Sequence, residues 1–390
     1  MTEPDDTCDG LAENASPAAD LPRDVPALKM FYLYLSAGCN LHCRHCWITP
    51  TFVQGQPVPG ECLPFDLLAA AVAEAKPLGL SAVKLTGGEP TLHPEFRKIA
   101  DFLTAAGLDL SMETNATLID RDLATHLRQK TNLTRVAVSL DSPDAAQHDA
   151  FRGRKGAFDA AVRGIGHLVA AGLPPQIIMS VHRENVDRLE ALIELAVRLG
   201  ARAVKFNPVT PSGRGADLHR QGLGLSFDEL LALNHRIRGP LQDRHPRIRL
   251  SAMVPPAMAS VKELLRYGGD GAGCNVRHIL GLLGTGEMAM CGIGRNVPEL
   301  CFGQLGRDRL RDVWIHHPVL RQMRADLRGP FPGVCGDCIH AGRCLTHCLA
   351  QNYEACGKLV APSPLCAEAV SRGVFPATRR ISWRGDRTRP

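Results

Sequence analysis

The sequence predicts an α/β protein whose parallel sheet is covered by helices, and three observations lead to this fold class. Short apolar runs typical of buried strands alternate with amphipathic segments typical of helices six times between residues 31 and 238. Polar and glycine-rich residues follow directly after most of the apolar runs. The first run is followed by three cysteines within eight positions. Such alternation favours parallel strands joined by helices, with the chemistry at the carboxyl ends of the strands.

Each predicted strand is a short apolar run, and each predicted helix is the periodic segment that follows it. The first strand is FYLYLS, and the first helix is PFDLLAAAVAEAKPLG, which has an apolar and a polar face. The strand–helix pairs are 31–36 with 64–79, 81–90 with 94–106, 108–115 with 120–129, 134–142 with 157–171, 175–185 with 186–199, and 201–209 with 226–238.

The domain organisation follows from where the alternation of strands and helices begins and ends. Residues 1–29 lack periodicity and are predicted to be a disordered tail, residues 30–240 form the α/β core, and residues 241–270 form a linker with one helix. Residues 271–370 are rich in glycine and cysteine and have few periodic elements, so we expect metal ligation to stabilise them. Residues 371–390 are predicted to be a basic tail.

Composition narrows the class of protein. The 390 residues are 45% hydrophobic and 22% charged, and a formal charge of +5 is too mild to indicate a nucleic-acid partner. The first residues have no apolar signal segment, and no uncharged run reaches the roughly 18–20 residues that span a bilayer. We therefore expect a cytoplasmic protein without a membrane partner. Its 14 cysteines then indicate metal or redox ligands rather than disulfides.

The cysteine motif after the first strand is Cys39-x3-Cys43-x2-Cys46. Three thiolates can hold three irons of a [4Fe–4S] cluster and leave the fourth iron open. The alternative is a zinc knuckle, in which His42 or His45 supplies the fourth ligand.

Together with GGEP at 87–90 and the six-fold alternation, this motif resembles the radical S-adenosylmethionine (radical SAM) superfamily over residues 30–240. The resemblance implies a partial (β/α)6 TIM-type barrel. It also implies that S-adenosylmethionine binds the open iron and is reductively cleaved to a 5′-deoxyadenosyl radical, which abstracts a hydrogen atom from a substrate. An external electron donor of the flavodoxin or ferredoxin type would reduce the cluster.

The resemblance also implies which residues bind S-adenosylmethionine. The GGEP motif would approach the methionyl ammonium, and the polar residues that end the third and fourth strands would bind the ribose or carboxylate. An arginine in FRGRKGAF resembles the one that pairs with the cofactor carboxylate, and a histidine takes a position usually aromatic, beside the adenine. These residues are Gly87, Gly88, Glu89, Thr114, Asn115, Ser139, Asp141, Arg152 and His45. The alternative for Ser139 and Asp141 is that they are turn residues that merely end a strand. The alternative for Arg152 is that it is a surface arginine.

The C-terminal cysteines have a second spacing pattern, which resembles the SPASM extension of radical SAM peptide-modifying enzymes. That resemblance implies a small, irregular iron–sulfur domain with two auxiliary [4Fe–4S] clusters. One would be ligated by Cys335, Cys338, Cys344 and Cys366, and the other by Cys274, Cys291 and Cys348. The alternative is a pair of zinc ribbons. Three further thiols, Cys8, Cys62 and Cys356, have no place in either pattern.

The pattern departs from its relatives in two ways. The additional cysteine that some members carry before Cys274 is missing, so the second auxiliary cluster either has an open iron or is closed by Cys301. Gly292 follows Cys291 where the sulfatase-maturing enzymes have a basic aspartate. The formylglycine reaction is therefore doubtful, and no catalytic acid or base is assigned.

The resemblance leaves two classes of substrate open. The first is a ribosomally made peptide, modified by thioether formation, carbon–carbon crosslinking or epimerisation. The second is a small molecule in natural-product or cofactor biosynthesis. Only a predicted 29-residue tail precedes the α/β core, so a leader peptide would be held by a separate protein or by the barrel itself. The complete cysteine pattern favours the peptide.

Overall fold

The computed structural model describes residues 21–48, 52–53, 56–57, 60–266 and 275–382. Its centre is a ten-stranded sheet, and a separate two-stranded ribbon joins Phe52–Val53 to Gln56–Pro57. The strands of the central sheet, in chain order, are β1 Met30–Tyr34, β2 Ala82–Thr86, β3 Asp109–Thr114, β4 Leu133–Ser139, β5 Gln176–Val181, β6 Ala203–Pro208, β7 Arg249–Ala252, β8 Ile279–Leu282, β9 Glu287–Ala289 and β10 Cys301–Gln304.

The spatial order of the sheet is β10-β9-β8-β1-β2-β3-β4-β5-β6-β7. All neighbours from β8 through β1 to β7 are parallel, whereas β9 pairs antiparallel with both β8 and β10. The six strands predicted from the alternation are therefore confirmed as adjacent parallel strands. The sheet is open, with β10 and β7 at its edges, which agrees with a partial rather than a closed barrel.

Helices connect the parallel strands and cover one face of the sheet. The helices are α1 Phe65–Ala75, α2 Phe96–Ala105, α3 Arg121–Lys130, α4 Ala145–Arg152, α5 Ala157–Ala170, α6 Leu189–Arg198, α7 Gly215–Arg220, α8 Phe227–Arg236, α9 Gln242–Arg244, α10 Val261–Arg266, α11 Leu310–His316, α12 Pro318–Asp326, α13 Ala341–Cys344, α14 Leu349–Cys356 and α15 Pro364–Ser371. Side-chain hydroxyl or carboxylate caps begin four of them: Asp120 on α3, Asp144 on α4, Ser226 on α8 and Ser260 on α10.

The two faces of the sheet differ in polarity because side chains alternate along each strand. Val83, Leu85, Met112, Val138 and Phe206 are fully or almost fully buried within the core. The residues that alternate with them form the opposite face, which we call the inner face. On the inner face the side chains are mostly polar and half-buried. The inner face is therefore the polar face of the sheet, and the opposite face packs the core.

Charged side chains of the inner face interact across several strands. Glu113 on β3 and Lys205 on β6 interact electrostatically, although β4 and β5 lie between their strands.

Two predicted boundaries are wrong in detail. β7 lies within the predicted linker, and β8, β9 and β10 lie within the predicted irregular domain, yet all four belong to the central sheet. β8 joins the central sheet because all four residues of its sequence ILGL are buried, and they pair with β1. The cysteine-rich segment is therefore built onto the core sheet rather than beside it.

The predicted tails are also shorter than expected. Val25 and Leu28 are buried in the core, and Trp314 Nε1 donates to the carbonyl of Pro26 at 2.9 Å. At the other end Phe375 and Arg379 are buried. Residues 1–20 and 383–390 lie outside the described residues. Among the residues that are described, no helix is both long and apolar enough to cross a membrane.

Candidate functional site

The first cysteine loop leaves the carboxyl end of β1 and lies against the GGEP loop, which leaves the carboxyl end of β2. The N–H of Gly88 donates to Ser36 O at 2.9 Å, and the N–H of Glu89 donates to Gly38 O at 3.0 Å. A Cβ on Gly88 would lie 1.9 Å from Gly38 O. Glycine is therefore required at position 88 by the close approach of the two loops.

The far side of the cysteine loop is fixed by the end of α4. His42 N donates to Arg152 O at 3.0 Å, and Arg44 N donates to Phe151 O at 2.9 Å. A Cβ on Gly153 would lie 2.5 Å from His42 O. The loop that carries the three cysteines is thus held between two strand ends and one helix end.

The three thiols of this loop lie together. Cys39 and Cys43 are buried and Cys46 is half-buried, and the three form one packed group with Leu41 and Ala157. Leu41 N donates to Cys39 Sγ at 3.4 Å, and Asn115 Nδ2 lies 3.8 Å from the same sulfur. Burial raises the pKa of Cys39, and the neighbouring Cys43 and Glu89 raise it further. Cys39 therefore needs a nearby positive charge, such as that of a bound metal cluster, to become a thiolate.

This donor set fits an iron–sulfur cluster. Three thiols share one loop, backbone and side-chain N–H groups point at their sulfurs, and a buried guanidinium stands beside one of them. Within the described part of the chain, no three His, Cys, Asp or Glu side chains converge as ligands of a single metal ion. A cubane spaces its ligands around a cluster rather than around one atom.

Glu89 is buried and fixes the GGEP loop to the end of β3. Its Oε1 accepts from Thr91 Oγ1 at 2.6 Å and from Thr114 Oγ1 at 2.7 Å, and its Oε2 accepts from Asn115 N at 2.8 Å. Burial raises the pKa of Glu89, and these hydrogen bonds oppose that rise. Glu89 and Thr114, both predicted to contact the cofactor, thus contact each other.

Asn115 connects this network to the cysteine loop. Its Nδ2 donates to Asn40 Oδ1 at 2.8 Å, while its Oδ1 accepts from Thr117 N at 2.9 Å. Asn40 Nδ2 in turn donates to Thr117 Oγ1 at 2.7 Å. The amide side chains therefore hold Cys39 and its neighbour in place.

Asp141 and Arg152 form a buried ion pair beside Cys43. Arg152 Nε donates to Asp141 Oδ2 at 2.5 Å, and Arg152 Nη1 donates to Cys43 Sγ at 3.5 Å. Burial by itself would raise the pKa of Asp141, but Arg152 outweighs it and holds this pKa at about 2. Asp141 Oδ1 also accepts from Ser180 N at 2.8 Å. Asp141 is therefore more than a turn residue, and Arg152 is not a surface arginine.

His45 lies between the cysteine loop and β5. Its Nε2 is 3.1 Å from Ser180 Oγ, and its ring stacks on Phe151 at 4.6 Å, which stacks in turn on His182 at 4.4 Å. Burial lowers the pKa of His45 to about 3, so the ring is neutral. Nδ1 is buried without a hydrogen-bond partner among the described residues. Ser139 is half-buried at the end of β4, and its position in the ladder is opposite Ile178.

Four of the C-terminal cysteines lie close to one another. Electrostatic interactions connect Cys366 with Cys344, Cys335 and Cys338. Burial raises the pKa of Cys335 to about 11 and that of Cys344 to about 12, and the neighbouring thiols add to both shifts. The fold thus groups the four cysteines assigned to one auxiliary cluster, which are separated by up to 31 positions in the sequence.

The other auxiliary set is described in part. Cys291 interacts electrostatically with Cys348, whereas Cys274 lies outside the described residues. Burial raises the pKa of Cys291 to about 12, and Lys84 opposes this rise. Cys301 contacts other groups: its thiol donates to Gly294 O at 3.4 Å and interacts with Glu287.

Two aromatic residues, Tyr34 and Trp47, connect the segment after Cys291 with the first cysteine loop. Gly292 N donates to Tyr34 Oη at 2.7 Å, and a Cβ on Gly292 would lie 2.4 Å from the Trp47 ring and 2.6 Å from Tyr34. Asn296 Nδ2 donates to Trp47 O at 2.6 Å. The space that an aspartate would need after Cys291 is therefore filled by Trp47 and Tyr34.

The three remaining thiols have separate surroundings. Cys62 is half-buried and forms an isolated backbone bridge with Ser36, and Cys356 is exposed at the end of α14. Cys8 lies outside the described residues.

Sequence reasoning missed the charged residues of the inner face. Lys84 Nζ lies 2.5 Å from Glu113 Oε1 and 4.8 Å from the Tyr32 ring centroid. A charged residue inside an otherwise apolar strand is the signal that could have found Lys84, Glu113 and Lys205. In the sequence alone such residues are indistinguishable from solvent-facing positions of a half-exposed strand.

Comparison with known proteins agrees with this geometry. The family model described as the radical SAM superfamily matches residues 33–196. The AdoMet-dependent heme synthase of Nitratidesulfovibrio vulgaris is 30% identical over 374 residues, which cover 90% of this chain and 97% of that protein. The mycofactocin maturase MftC of Mycobacterium tuberculosis is 29% identical over 355 residues, covering 89% of this chain and 85% of that protein. The structure of Streptococcus suis SuiB bound to S-adenosylmethionine superposes with a TM-score of 0.66 at 16% identity, over 88% of this chain and 77% of that chain.

Proposed function

The chain belongs to the radical SAM superfamily, and from this membership we propose that it modifies a ribosomally made peptide after abstracting a hydrogen atom from it. The observation that carries the proposal is the group of three thiols on one loop, next to GGEP, with no fourth cysteine in the motif. A [4Fe–4S] cluster held by Cys39, Cys43 and Cys46 has one iron left for S-adenosylmethionine. When bound there, the cluster would supply the electron, and S-adenosylmethionine the radical chemistry, for removal of a hydrogen atom from the substrate.

The residues around the cysteine loop have separate proposed roles in holding the cluster and the cofactor. Gly87 and Gly88 let the backbone come close to the methionyl group of the cofactor. Arg152 supplies a buried positive charge beside Cys43, which favours the thiolate form. Glu89 acts mainly by holding the GGEP loop to β3, because its carboxylate already accepts hydrogen bonds from Thr91, Thr114 and Asn115. Ser139 and His45 remain candidates for the ribose and adenine, and Ser180, whose Oγ lies 3.1 Å from His45 Nε2, is a further one.

The C-terminal cysteines would hold two auxiliary clusters. The electrostatic contacts among Cys335, Cys338, Cys344 and Cys366 support a fully ligated one. The contact of Cys291 with Cys348 supports the second, with Cys274 as its third ligand. Tyr34 and Trp47 lie between Cys291 and the first cysteine loop, and a cluster held by Cys291 and Cys348 would supply an acceptor for the electron left on the substrate radical.

Peptide maturation is supported by the similarity to the mycofactocin maturase along most of both chains. One observation favours a second candidate: the similarity to the heme synthase covers 97% of that protein. The second candidate is therefore oxidation of a small cofactor precursor, such as a tetrapyrrole. In either case the reaction needs an external electron donor of the flavodoxin or ferredoxin type. We propose that it takes place in the reducing cytoplasm.

The test is a direct assay of modification. The anaerobically reconstituted and reduced protein is incubated with S-adenosylmethionine and with synthetic precursor peptides encoded next to its gene, and peptide mass is followed. A mass change that depends on S-adenosylmethionine and is absent from the Cys39→Ala/Cys43→Ala/Cys46→Ala protein supports the proposal. Modification of iron coproporphyrin III, with no change in any peptide, would contradict peptide maturation and favour the second candidate.

A further inference from the structure

The loop between Cys344 and Cys348 has a backbone conformation that its sequence does not favour. It consists of Leu345, Thr346 and His347, whose φ angles are 48°, 65° and 71°. All three lie in the left-handed region, where a side chain costs free energy and glycine is the usual residue. Within the described part of the chain, only one other non-glycine residue has a positive φ. The three side chains are therefore kept against a cost, and their contacts show what each contributes.

Two of the three side chains have contacts that explain them. Leu345 packs against the hydrophobic core. Thr346 is buried, and its carbonyl and hydroxyl oxygens accept from Asn352 Nδ2 at 3.0 and 3.2 Å. Asn352 Nδ2 also lies 3.2 Å from Leu359 O and 3.0 Å from Ala361 O, so this amide connects the loop to the segment that follows α14.

The His347 side chain has no such explanation. The residue is 6% exposed, and both ring nitrogens, Nδ1 and Nε2, are buried without a hydrogen-bond partner among the described residues. An imidazole carries at least one N–H, and a buried N–H that meets no acceptor is costly. A buried, unpartnered histidine on a strained backbone therefore indicates a bound group as its partner.

The position of His347 identifies this group as an iron–sulfur cluster. Its N–H donates to Cys344 O at 2.9 Å, and the backbone N–H groups of Thr346 and His347 also hydrogen-bond to the Cys344 thiol. The Cα atoms of His347 and Cys348 are about 3.8 Å apart, because a trans peptide joins them. Cys344 belongs to the four-cysteine auxiliary set and Cys348 to the other. His347 is therefore placed between a ligand of one auxiliary cluster and a ligand of the other.

The ring could serve such a cluster as an iron ligand or as a hydrogen-bond donor, and its surroundings favour the donor. A histidine that binds iron through one nitrogen normally places the N–H of the other on an acceptor, and neither nitrogen of His347 has one among the described residues. If the N–H instead points at a sulfur, only the lone pair of the other nitrogen stays unpaired. A buried acceptor without a partner is tolerated more often than a buried donor without one.

We propose that His347 donates its ring N–H to a sulfur of one of the two auxiliary clusters and thereby raises the reduction potential of that cluster. This rests on the auxiliary clusters of the proposed function, and on nothing about the substrate. The hydrogen bond stabilises the reduced cluster more than the oxidised one, because the reduced cluster carries one more negative charge. A cluster that receives this hydrogen bond accepts an electron more readily.

A redox titration of the full-length, reconstituted protein, followed by electron paramagnetic resonance, measures the potentials of both auxiliary clusters. His347→Phe keeps a ring without an N–H, and His347→Gly removes the ring and the backbone strain together. In both variants, reduction of one auxiliary cluster should become about tenfold less favourable, a shift of about 59 mV to more negative potential for one electron. His347→Asn and His347→Gln retain an amide N–H, and at least one of them should keep the wild-type potential.

Leu345→Met is the matched control, because it changes an apolar side chain on the same left-handed loop. Both of its potentials should equal those of the wild-type protein. Circular dichroism and iron content show whether each variant is folded and contains its clusters. If His347→Phe does not fold, His347→Gly still decides the matter, since glycine is the residue that a φ of 71° favours.

Isotope labelling gives an independent measurement. In reduced protein that contains nitrogen-15-labelled histidine, electron–nuclear double resonance should show a weak nitrogen coupling to an auxiliary cluster, and His347→Gly should lose it. A strong coupling that is lost in His347→Gly would identify His347 as an iron ligand and overturn the hydrogen bond.

Unchanged potentials of both auxiliary clusters in His347→Phe and His347→Gly would also overturn the proposal. Equal shifts in all four His347 variants would do the same, since lost packing would then explain them. These outcomes are distinct from failure of the proposed function. About twelve irons with unchanged potentials would remove the hydrogen bond and leave the clusters, whereas zinc in place of iron would remove both. Shifted potentials with no modified peptide would remove the peptide and leave the hydrogen bond.

Discussion

Arg152 joins Asp141 to Cys43. Its Nε lies 2.5 Å from Asp141 Oδ2, its Nη1 lies 3.5 Å from Cys43 Sγ, and both charged side chains are buried. One guanidinium therefore neutralises a carboxylate at the end of β4 and prepares a positive environment for a thiolate on the first cysteine loop. This relationship couples the stability of the fold to the electrostatics of the candidate site.

Replacing Arg152 by methionine should destabilise the protein by about 3–5 kcal/mol, because the charge of Asp141 would be left buried without its partner. Urea unfolding followed by circular dichroism measures this. The Arg152→Met/Asp141→Asn protein should recover part of the loss. A loss below about 1 kcal/mol in the single variant would contradict the ion pair as a stabilising contact.

Replacing Glu89 by glutamine should destabilise the protein by about 1–3 kcal/mol, because a buried acceptor of hydrogen bonds from Thr114 and Asn115 gains an N–H donor. Thermal unfolding provides the measurement. Binding of S-adenosylmethionine should weaken only modestly if Glu89 acts by holding its loop. A large loss of cofactor affinity with unchanged stability would instead indicate a direct contact.

Replacing Gly292 by alanine should cost about 1–3 kcal/mol, since the new Cβ would lie 2.4 Å from the Trp47 ring. The Trp47→Leu/Gly292→Ala protein should tolerate the alanine better than the wild-type background does. The double-mutant cycle gives the coupling between the two positions. Additive effects would show that Trp47 does not fill the space beside Gly292.

The reconstituted protein should contain about twelve irons, four for each of three cubane clusters. Cys39→Ala/Cys43→Ala/Cys46→Ala should lower this to about eight and abolish formation of 5′-deoxyadenosine. Iron and zinc are measured together by mass spectrometry. Stoichiometric zinc with little iron would instead support the zinc knuckle and zinc ribbons.

Cys301→Ala should leave the iron content unchanged, because the Cys301 thiol contacts Gly294 O and Glu287. Cys348→Ala is the matched comparison and should lose roughly four irons. An open iron in this cluster should also give a spectral shift when a small thiol is added to the wild-type protein. Loss of about four irons from Cys301→Ala would show that Cys301 closes the cluster.

The sequence by itself determined the features that depend on neighbouring residues. The alternation of strands and helices requires only local periodicity, so the six parallel strands could be predicted, and the spacing of Cys39, Cys43 and Cys46 indicated a cluster with an open position. GGEP could be recognised because, together with the cysteine motif, it resembles the radical SAM superfamily, and in the structure Gly88 makes a close backbone contact with Gly38.

The tertiary structure decided the features that join distant segments. The contacts of Glu89 with Thr114 and Asn115, the contact of Arg152 with Cys43, the entry of β8 into the core sheet and the electrostatic interaction of Lys205 with Glu113 each join residues at least 25 positions apart. Such contacts depend on the order and register of the strands, which periodicity does not encode. A lysine at an alternating strand position has the same sequence signature whichever face of the sheet it occupies. The order of the strands decides which other side chains it meets, because it places residues from distant segments on one face.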